Sequence, residues 1–456
     1  MNIYEDSDKR VPIKLDNPSI QRDYDKCILC GACKSICKFA QGVYGNYDYT
    51  KEAVCINCGQ CAAVCPTGAI SEVKDYHKVI EKIKNDNYIV IFQTAPAVRV
   101  ALGEHFNLEP GTFIEGKLVS ALRKLGADYV FDTTFGADLT IMEEANELVS
   151  RIKENKNLPQ FTSCCPAWVK FVELFHKELI PNLSTTRSPI LMQGPIIKTY
   201  FANKMHLDPK KIINVAVAPC TAKKYEITRP QFKAVANYYN DGSLKDMDYI
   251  ITTNELAMWL KEENIDFNSL EDSNYDDLLG SGSGSGYIFG NSGGVMEASV
   301  RCAYHILTGE DPKDKLLEFN DVRGVDGIKE ATLNINNKTL KLAILSGTNN
   351  VNRLLKQIEE NNLQYDFIEV MACPGGCISG GGQPRLEVPI TNVIREKRIA
   401  GLYNKDKNLK IRSSYQNKDI IKLYEEFLKY PLSDISKSLL HTHYEDKSKL
   451  KQTIES

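Results

Sequence analysis

Residues 27–37 and 55–65 carry the same rhythm of cysteines, C-x2-C-x2-C-x3-C, and Pro66 follows the second run. No other feature constrains the fold as tightly, because eight of the chain's fourteen cysteines fall in these two runs. In an oxidising compartment so many cysteines would suggest disulfides. The amino-terminal stretch MNIYEDSDKRVPIK has no apolar core of a secretory signal, and no apolar run approaches the roughly 18–20 residues that span a bilayer. The chain therefore reads as cytoplasmic, where structural disulfides are improbable and the spacing favours metal. Thiolates are soft ligands suited to iron–sulfur clusters.

The repeated spacing is that of bacterial two-cluster ferredoxins, in which the fourth cysteine of each run ligates the other cluster. One 4Fe–4S cubane then takes Cys27, Cys30, Cys33 and Cys65, and the other takes Cys55, Cys58, Cys61 and Cys37. Small neighbours (Gly31, Ala32, Gly59, Ala62 and Ala63) let the backbone wrap closely around each. Zinc knuckles also use CxxC pairs, but not four cysteines in this repeated rhythm. The signal specifies electron transfer without naming the reaction served.

At 456 residues the chain has room for two to four domains. A net charge of −3 gives no reason to expect nucleic acid or an anionic membrane as partner. From about residue 74 short apolar runs alternate with amphipathic ones. Strands are expected at 88–92, 128–133, 214–219, 248–253, 340–347 and 365–372, most of them followed by helix-period segments. That order predicts an α/β fold with parallel sheets. The stretch GSGSGSG (280–286) reads equally as a linker or as a flexible loop inside a domain. NKDIIKLYEEFLKY, after about residue 415, has helical period.

The other six cysteines lie at 164, 165, 220, 302, 373 and 377. QFTSCC, VAVAPC and FIEVMACPGGC each put cysteine at the carboxyl end of an expected strand, the edge where open parallel sheets bind ligands. Four cysteines converging there could hold one more cubane. Small buried hydrophobes are the alternative. Pro166 suits the first position of a helix and puts Cys165 at its N-cap, where the helix dipole favours a thiolate. Cys302 reads as packing, and the seven histidines suggest no metal cluster.

TSCCPAW (162–168), APCTAKKYE (218–226) and EVMACPGGCISGGGQP (369–384) resemble, in order, the three signature motifs of the iron-only (FeFe) hydrogenases. The resemblance runs from the ferredoxin-like module to LLHTHY (439–444). It implies a two-lobed catalytic domain of parallel sheets flanked by helices, plus a small α+β ferredoxin-like domain. The implied organisation is a lead over 1–22, a ferredoxin-like domain over 23–80, a catalytic domain over 81–415 and a helical, small-subunit-like tail over 416–456. It also implies an H-cluster, a 4Fe–4S cubane bridged to a diiron subsite with carbonyl, cyanide and azadithiolate. Cys165, Cys220, Cys373 and Cys377 would hold the cubane, with Cys377 bridging. Lys223 matches a lysine that contacts a cyanide ligand, a charge-assisted bond. Pro96 and Met371 match residues lining the subsite, and Phe289 an aromatic wall. GCISGGGQP lets backbone approach the cluster without side-chain bulk.

The resemblance also gives the adjacent cysteine its task. Cys164 matches a thiol that passes protons, a plausible role for a group that ionises within reach of neutral pH. Glu144, Glu147 and Arg151 lie at i, i+3 and i+7 of a helical segment. By themselves they read as a solvated salt-bridge stripe. The resemblance makes them a proton route with Ser184, in the order Cys164, a water, Glu144, Ser184, Glu147, and Arg151 near the exit. The implied reaction is 2H⁺ + 2e⁻ ⇌ H₂, with ferredoxin or flavodoxin as electron carrier and maturases supplying the diiron subsite. The rival is a hydrogenase-like protein of iron–sulfur assembly or sensing. Such relatives lose the relay cysteine or parts of the third motif, whereas Cys164, Lys223 and GGGQP are all present here. A second rival is a subunit of an electron-bifurcating complex, whose flavin or nicotinamide sites would lie on partner subunits. This chain departs from the family pattern at three positions beside the subsite. Ala218 replaces a methionine, Ala97 a serine and Ile190 a glutamine. A less polar surround predicts altered redox potentials and a changed balance of hydrogen evolution and oxidation.

Overall fold

The structure is a computed structural model that describes residues 3–48, 52–335 and 338–449. Among the described residues ten strands form three sheets. β1 (Ile20–Arg22) and β2 (Ile70–Glu72) pair antiparallel beside the paired cysteine runs. Val11, Ile13 and Ile20 pack with Cys33, Tyr44, Cys61 and Ile70. The residues before 23 thus share the small module's core rather than leading up to it.

Two four-stranded sheets make the body. β3 (Ile89–Thr94), β4 (Tyr129–Asp132), β6 (Ile212–Ala218) and β7 (Tyr249–Thr252) lie in the order β4-β3-β6-β7, all parallel. These strands are apolar at nearly every position because both faces are covered. Val90, Phe92, Val130 and Val215 face one helical layer, where Leu118, Leu122 and Trp259 meet them. Ile91, Phe131 and Ile212 face the other, against Met192, Ile196 and Phe201.

The second sheet runs β5-β10-β9-β8, from β5 (Gln160–Phe161), β10 (Phe367–Met371), β9 (Lys338–Ser346) and β8 (Ile328–Ile335). Its first three strands are parallel, and β8 pairs antiparallel with β9 from Ile328↔Leu345 to Ile335↔Lys338. The sheet thus ends on an antiparallel edge strand that the parallel expectation did not include. β8 alternates buried and exposed residues, as a strand with one wet face does.

A 22-residue helix, Thr133–Glu154, leaves β4 with Asp132 as its N-cap. It packs against helix Gly294–Thr308 through Ala137, Ile141, Ala145, Val295 and Ala298. Two expectations change here. VRVALGEHF (98–106), the amphipathic segment after the expected 88–92 strand, falls in two 3-10 turns, Pro96–Val100 and Leu102–Phe106, in place of an α-helix. GSGSGSG is neither linker nor flexible loop. Residues 283–286 are buried and open the short helix Gly284–Ile288. A Cβ at Gly282 would lie 1.9 Å from Thr134 Oγ1, and one at Gly284 1.8 Å from Asp406 Oδ1. Ser283 donates through its amide and hydroxyl to the buried Asp138 at 2.7 and 2.6 Å. The glycines are there for close approach, which composition cannot distinguish from a need for freedom.

The carboxy-terminal segment is helical as its period suggests, with helices Lys418–Leu423 and Asp434–Leu440 joined through a π-helical turn, Tyr424–Leu428. Ile420, Leu423, Leu439 and Leu440 sit in the same core as Phe131 and Phe201. Among the described residues no helix is long and apolar enough to cross a membrane.

Candidate active site

The motif cysteines stand where strands end. Cys164 and Cys165 follow β5, Cys220 follows β6 of the other sheet, and Cys373 and Cys377 follow β10. Pro166 is the first residue of helix Pro166–Phe175, and Cys165 is its N-cap in extended conformation. Ala372 N–H donates to Cys165 Sγ at 3.5 Å. Burial raises the Cys373 thiol, and Cys220, Cys165 and Cys377 raise it further. Burial likewise raises Cys377, with Cys220 and Cys165 next. Cys220 is pushed up to about 11, by burial and then by Cys165. These four thiols crowd one another away from solvent, where they can ionise together only around a compensating positive charge.

That chemistry fits a cubane better than zinc. Among the described residues no three His, Cys, Asp or Glu side chains are close enough to hold one metal ion. A single zinc needs its sulfurs at about 2.3 Å, so thiols grouped more widely suit a larger cluster. The two amino-terminal runs behave alike. Cys27, Cys30, Cys33 and Cys65 line one small cavity, and Cys37, Cys55, Cys58 and Cys61 line another. The fourth cysteine of each run thus sits with the other run's first three, as the crossed pattern requires.

Beside the four thiols lies a cavity with almost wholly apolar walls. Pro96, Phe289 and Met371 line it, and so do Ala97, Ala218 and Ile190. Cys164, Cys165, Cys220 and Cys377 also reach this cavity, and Lys223 is its cation. Lys223 Nζ donates to Glu226 Oε2 at 2.8 Å and to the Cys164 carbonyl at 3.2 Å. Glu226 was not singled out from sequence, although its i+3 spacing from Lys223 is the usual signature of such a pair. A Cβ added at Gly380 would lie 2.2 Å from the Pro219 carbonyl oxygen and one added at Gly382 3.3 Å from it, so GCISGGGQP does let chain segments close on one another.

The structure brings together the residues that the resemblance made a proton route, Glu144, Ser184, Glu147 and Arg151. Glu144 is fully buried, and among the described residues its oxygens make no full hydrogen bond, Ser184 alone standing near enough to lower its carboxyl as a hydrogen-bonding side chain. Burial, then the charge of Glu147, pushes its carboxyl up to about 8. The Cys164 thiol is raised by burial and next by the charge of Glu144. Ser184 Oγ donates to Glu147 Oε2 at 2.7 Å. Glu147 also accepts from Thr185 N–H at 3.0 Å and from Arg151 at 2.7 Å. Arg151 donates onward to the carbonyls of Asn182 and Leu183. The solvated-stripe reading therefore fails: Glu144 is dry, and Glu147 and Arg151 are only 12% and 11% exposed. Sequence reasoning missed Thr185 and the tail residues around it. His441 Nδ1 lies 2.8 Å from Thr185 Oγ1, and Tyr444 OH donates to the Ser184 carbonyl at 2.7 Å.

Cys302 is buried with Met142 Sδ at 3.9 Å and no part in these pockets, a packing position.

Comparison with known proteins gives this site its family. Residues 88–381 match the model of the carboxy-terminal domain of the iron-only hydrogenase large subunit. Residues 392–447 match the iron hydrogenase small subunit, and 20–40 with 49–71 the 4Fe-4S binding domain. The chain belongs to the iron-only hydrogenases. It is 45% identical to the NADP-reducing hydrogenase subunit HndD of Solidesulfovibrio fructosivorans, over 95% of this chain and 75% of that one. It is 40% identical to iron hydrogenase 1 of Clostridium pasteurianum, over 96% and 78%. Cytosolic iron-sulfur assembly component 3 of Bos taurus is more distant, at 32% over 78% and 74%. Among solved structures, the FeFe-hydrogenase HydA1 of Chlamydomonas reinhardtii superposes with a TM-score of 0.72 at 36% identity, over 82% of this chain and 99% of that one. Family and donor set agree on two accessory 4Fe–4S clusters and an H-cluster.

Proposed function

We propose that this chain catalyses 2H⁺ + 2e⁻ ⇌ H₂ in the cytoplasm, exchanging electrons with ferredoxin or flavodoxin after maturases have supplied its diiron subsite. The observation that carries the proposal is the fifth thiol: Cys165, Cys220 and Cys377 line one cavity together with Cys164, the buried Cys373 is raised by those same three ligand thiols, and the buried Glu144 in turn raises Cys164. When bound, the H-cluster supplies the metal centre at which protons and electrons combine. Cys165, Cys220, Cys373 and Cys377 would hold it, and the Lys223 ammonium, kept charged by Glu226, lines the same cavity.

The rest is done by this chain's own groups. Cys164 presents a proton to the cavity. Glu144 replenishes it, since a carboxyl that titrates near neutral pH can take and return a proton at little cost. Ser184 and Glu147 carry the next exchange, and Arg151 holds Glu147 at the protein's edge. Pro96, Phe289 and Met371 keep bulk water out, so that protons arrive by this route. Cys27, Cys30, Cys33 and Cys65, of which Cys30 is exposed, would hold one accessory cubane nearest solvent, and Cys37, Cys55, Cys58 and Cys61 would hold the other; both would supply electron transfer.

Infrared spectra of anaerobically matured protein test the reading. Carbonyl and cyanide bands are expected together with hydrogen evolution from a reduced dye. Protein that takes up neither ligand would leave the assembly-type rival in place, which the similarity to iron-sulfur assembly component 3 keeps in view. Membership of a larger, nicotinamide-linked complex has its own support in the 45% identity to a protein named as an NADP-reducing hydrogenase subunit. Copurification with a nucleotide-binding partner would favour it.

A further inference from the structure

The two cysteine runs share a backbone but not a purpose. Leu29 and Asn57 occupy the same place in each, with φ of 55° and 63°, and Gly31 and Gly59 follow with 77° and 70°. One step further, the first run has Ala32 and the second has Gln60. The first run borders solvent, with Ile28 64% exposed. The second is pressed into the catalytic body. Asn57 Oδ1 accepts from Lys170 Nζ at 2.6 Å, and the Asn57 carbonyl accepts from Thr221 Oγ1 at 2.8 Å. Gly59 meets Gly381 so closely that a Cβ on Gly381 would lie 2.7 Å from Gly59 Cα.

Gln60 is buried at the centre of this contact. Its Nε2 donates to the Ser379 carbonyl at 2.9 Å and to Cys373 Sγ at 3.2 Å. The carbonyl can only accept, so it fixes which end of the amide faces the sulfur. An amide between two ligands of one cubane thus donates to a ligand of the next.

We propose that Gln60 is a positioning residue that holds up the reduction potential of the active-site cubane by donating to the Cys373 thiolate from within the neighbouring cluster's ligand loop. The proposal rests on the functional reading above. Reduction places more negative charge on the thiolates, and an N–H donated to sulfur stabilises that form. The same bond fixes the spacing of the two ligand loops across which an electron passes.

The test is a redox titration of the full, cluster-loaded chain, followed by electron paramagnetic resonance and infrared spectroscopy. Gln60→Met keeps the length of the side chain and removes the donor. The active-site cubane should become harder to reduce, its reduced-to-oxidised ratio at fixed potential falling about tenfold, or about 59 mV for one electron. Both accessory midpoints should stay where they are. Gln60→Glu, whose carboxylate cannot donate, should shift the same midpoint in the same sense and carries the test if the methionine variant does not fold. An unmoved active-site midpoint, or a neighbouring accessory midpoint that moves equally, overturns the role of Gln60. Wild-type protein with no third cubane would instead overturn the functional reading.

Discussion

Glu144 and Glu147 stand one turn apart on a single helix and differ in every physical respect. Glu147 accepts from Arg151, Ser184 and Thr185, and so is a compensated anion. Glu144 has no compensating cation against it and only Ser184 as a polar neighbour, and burial lifts its carboxyl to about 8. The native state therefore binds a proton that the unfolded state releases above the ordinary carboxylate range near 4.3. Stability should fall as pH rises from there towards 8, and Glu144→Gln should remove that slope. Thermal midpoints of both proteins across this range provide the check, and parallel curves would speak against a neutral Glu144. Cys164→Ala should keep the carbonyl and cyanide bands and lose turnover by roughly 10²-fold or more, the usual contribution of a positioned acid–base group. Full activity in that variant would send the protons elsewhere.

At the scale of elements, GSGSGSG shows how composition can mislead. Seven residues typical of a tether instead pack between Asp138, Thr134 and Asp406. Asp406 is itself held by Arg301 and Arg412, so little there can yield. Gly284→Ala and Gly282→Ala should each cost about 1–3 kcal/mol through overpacking, read as a lower denaturation midpoint. A true linker would give no change. The helix Thr133–Glu154 was legible from its period, and the strands from their apolar runs, because both signals are local. Which carboxylate of the helix is dry was not legible, since both lie on one stripe and only the segment 183–186 decides which is covered.

For the whole molecule, the joints between elements carry the function. Arg398, on helix Asn392–Asn408, donates to both oxygens of the buried Glu104 at 2.7 Å and to the carbonyls of Ile378 and Pro384. It ties the carboxy-terminal helices to the first lobe and to the third motif. Arg398→Met leaves Glu104 buried without its partner, and a loss of about 3–5 kcal/mol is expected in denaturation. At the lobe junction, Ala218→Met restores a thioether to the cavity wall. The ratio of hydrogen oxidation to evolution should change, and an unchanged ratio would count against the three small or apolar replacements as tuning sites.

The amino-acid sequence by itself marked two four-cysteine runs and the three neighbours that would ligate together in each, because spacing within a run is set by a few residues of chain; the fold places each run's fourth cysteine with the other run. It also determined the family, through three short motifs that each carry cysteine at a strand end. The meeting of Cys165, Cys220 and Cys373 was decided only by tertiary structure. Nothing local links positions so far apart; strand order in two sheets brings their carboxyl ends to one cleft. The reach of Gln60 to Cys373, the pairing of Lys223 with Glu226 and the isolation of Glu144 arise in the same way. Each is a property of which surfaces are pressed together, and burial, unlike spacing, is not written along the chain.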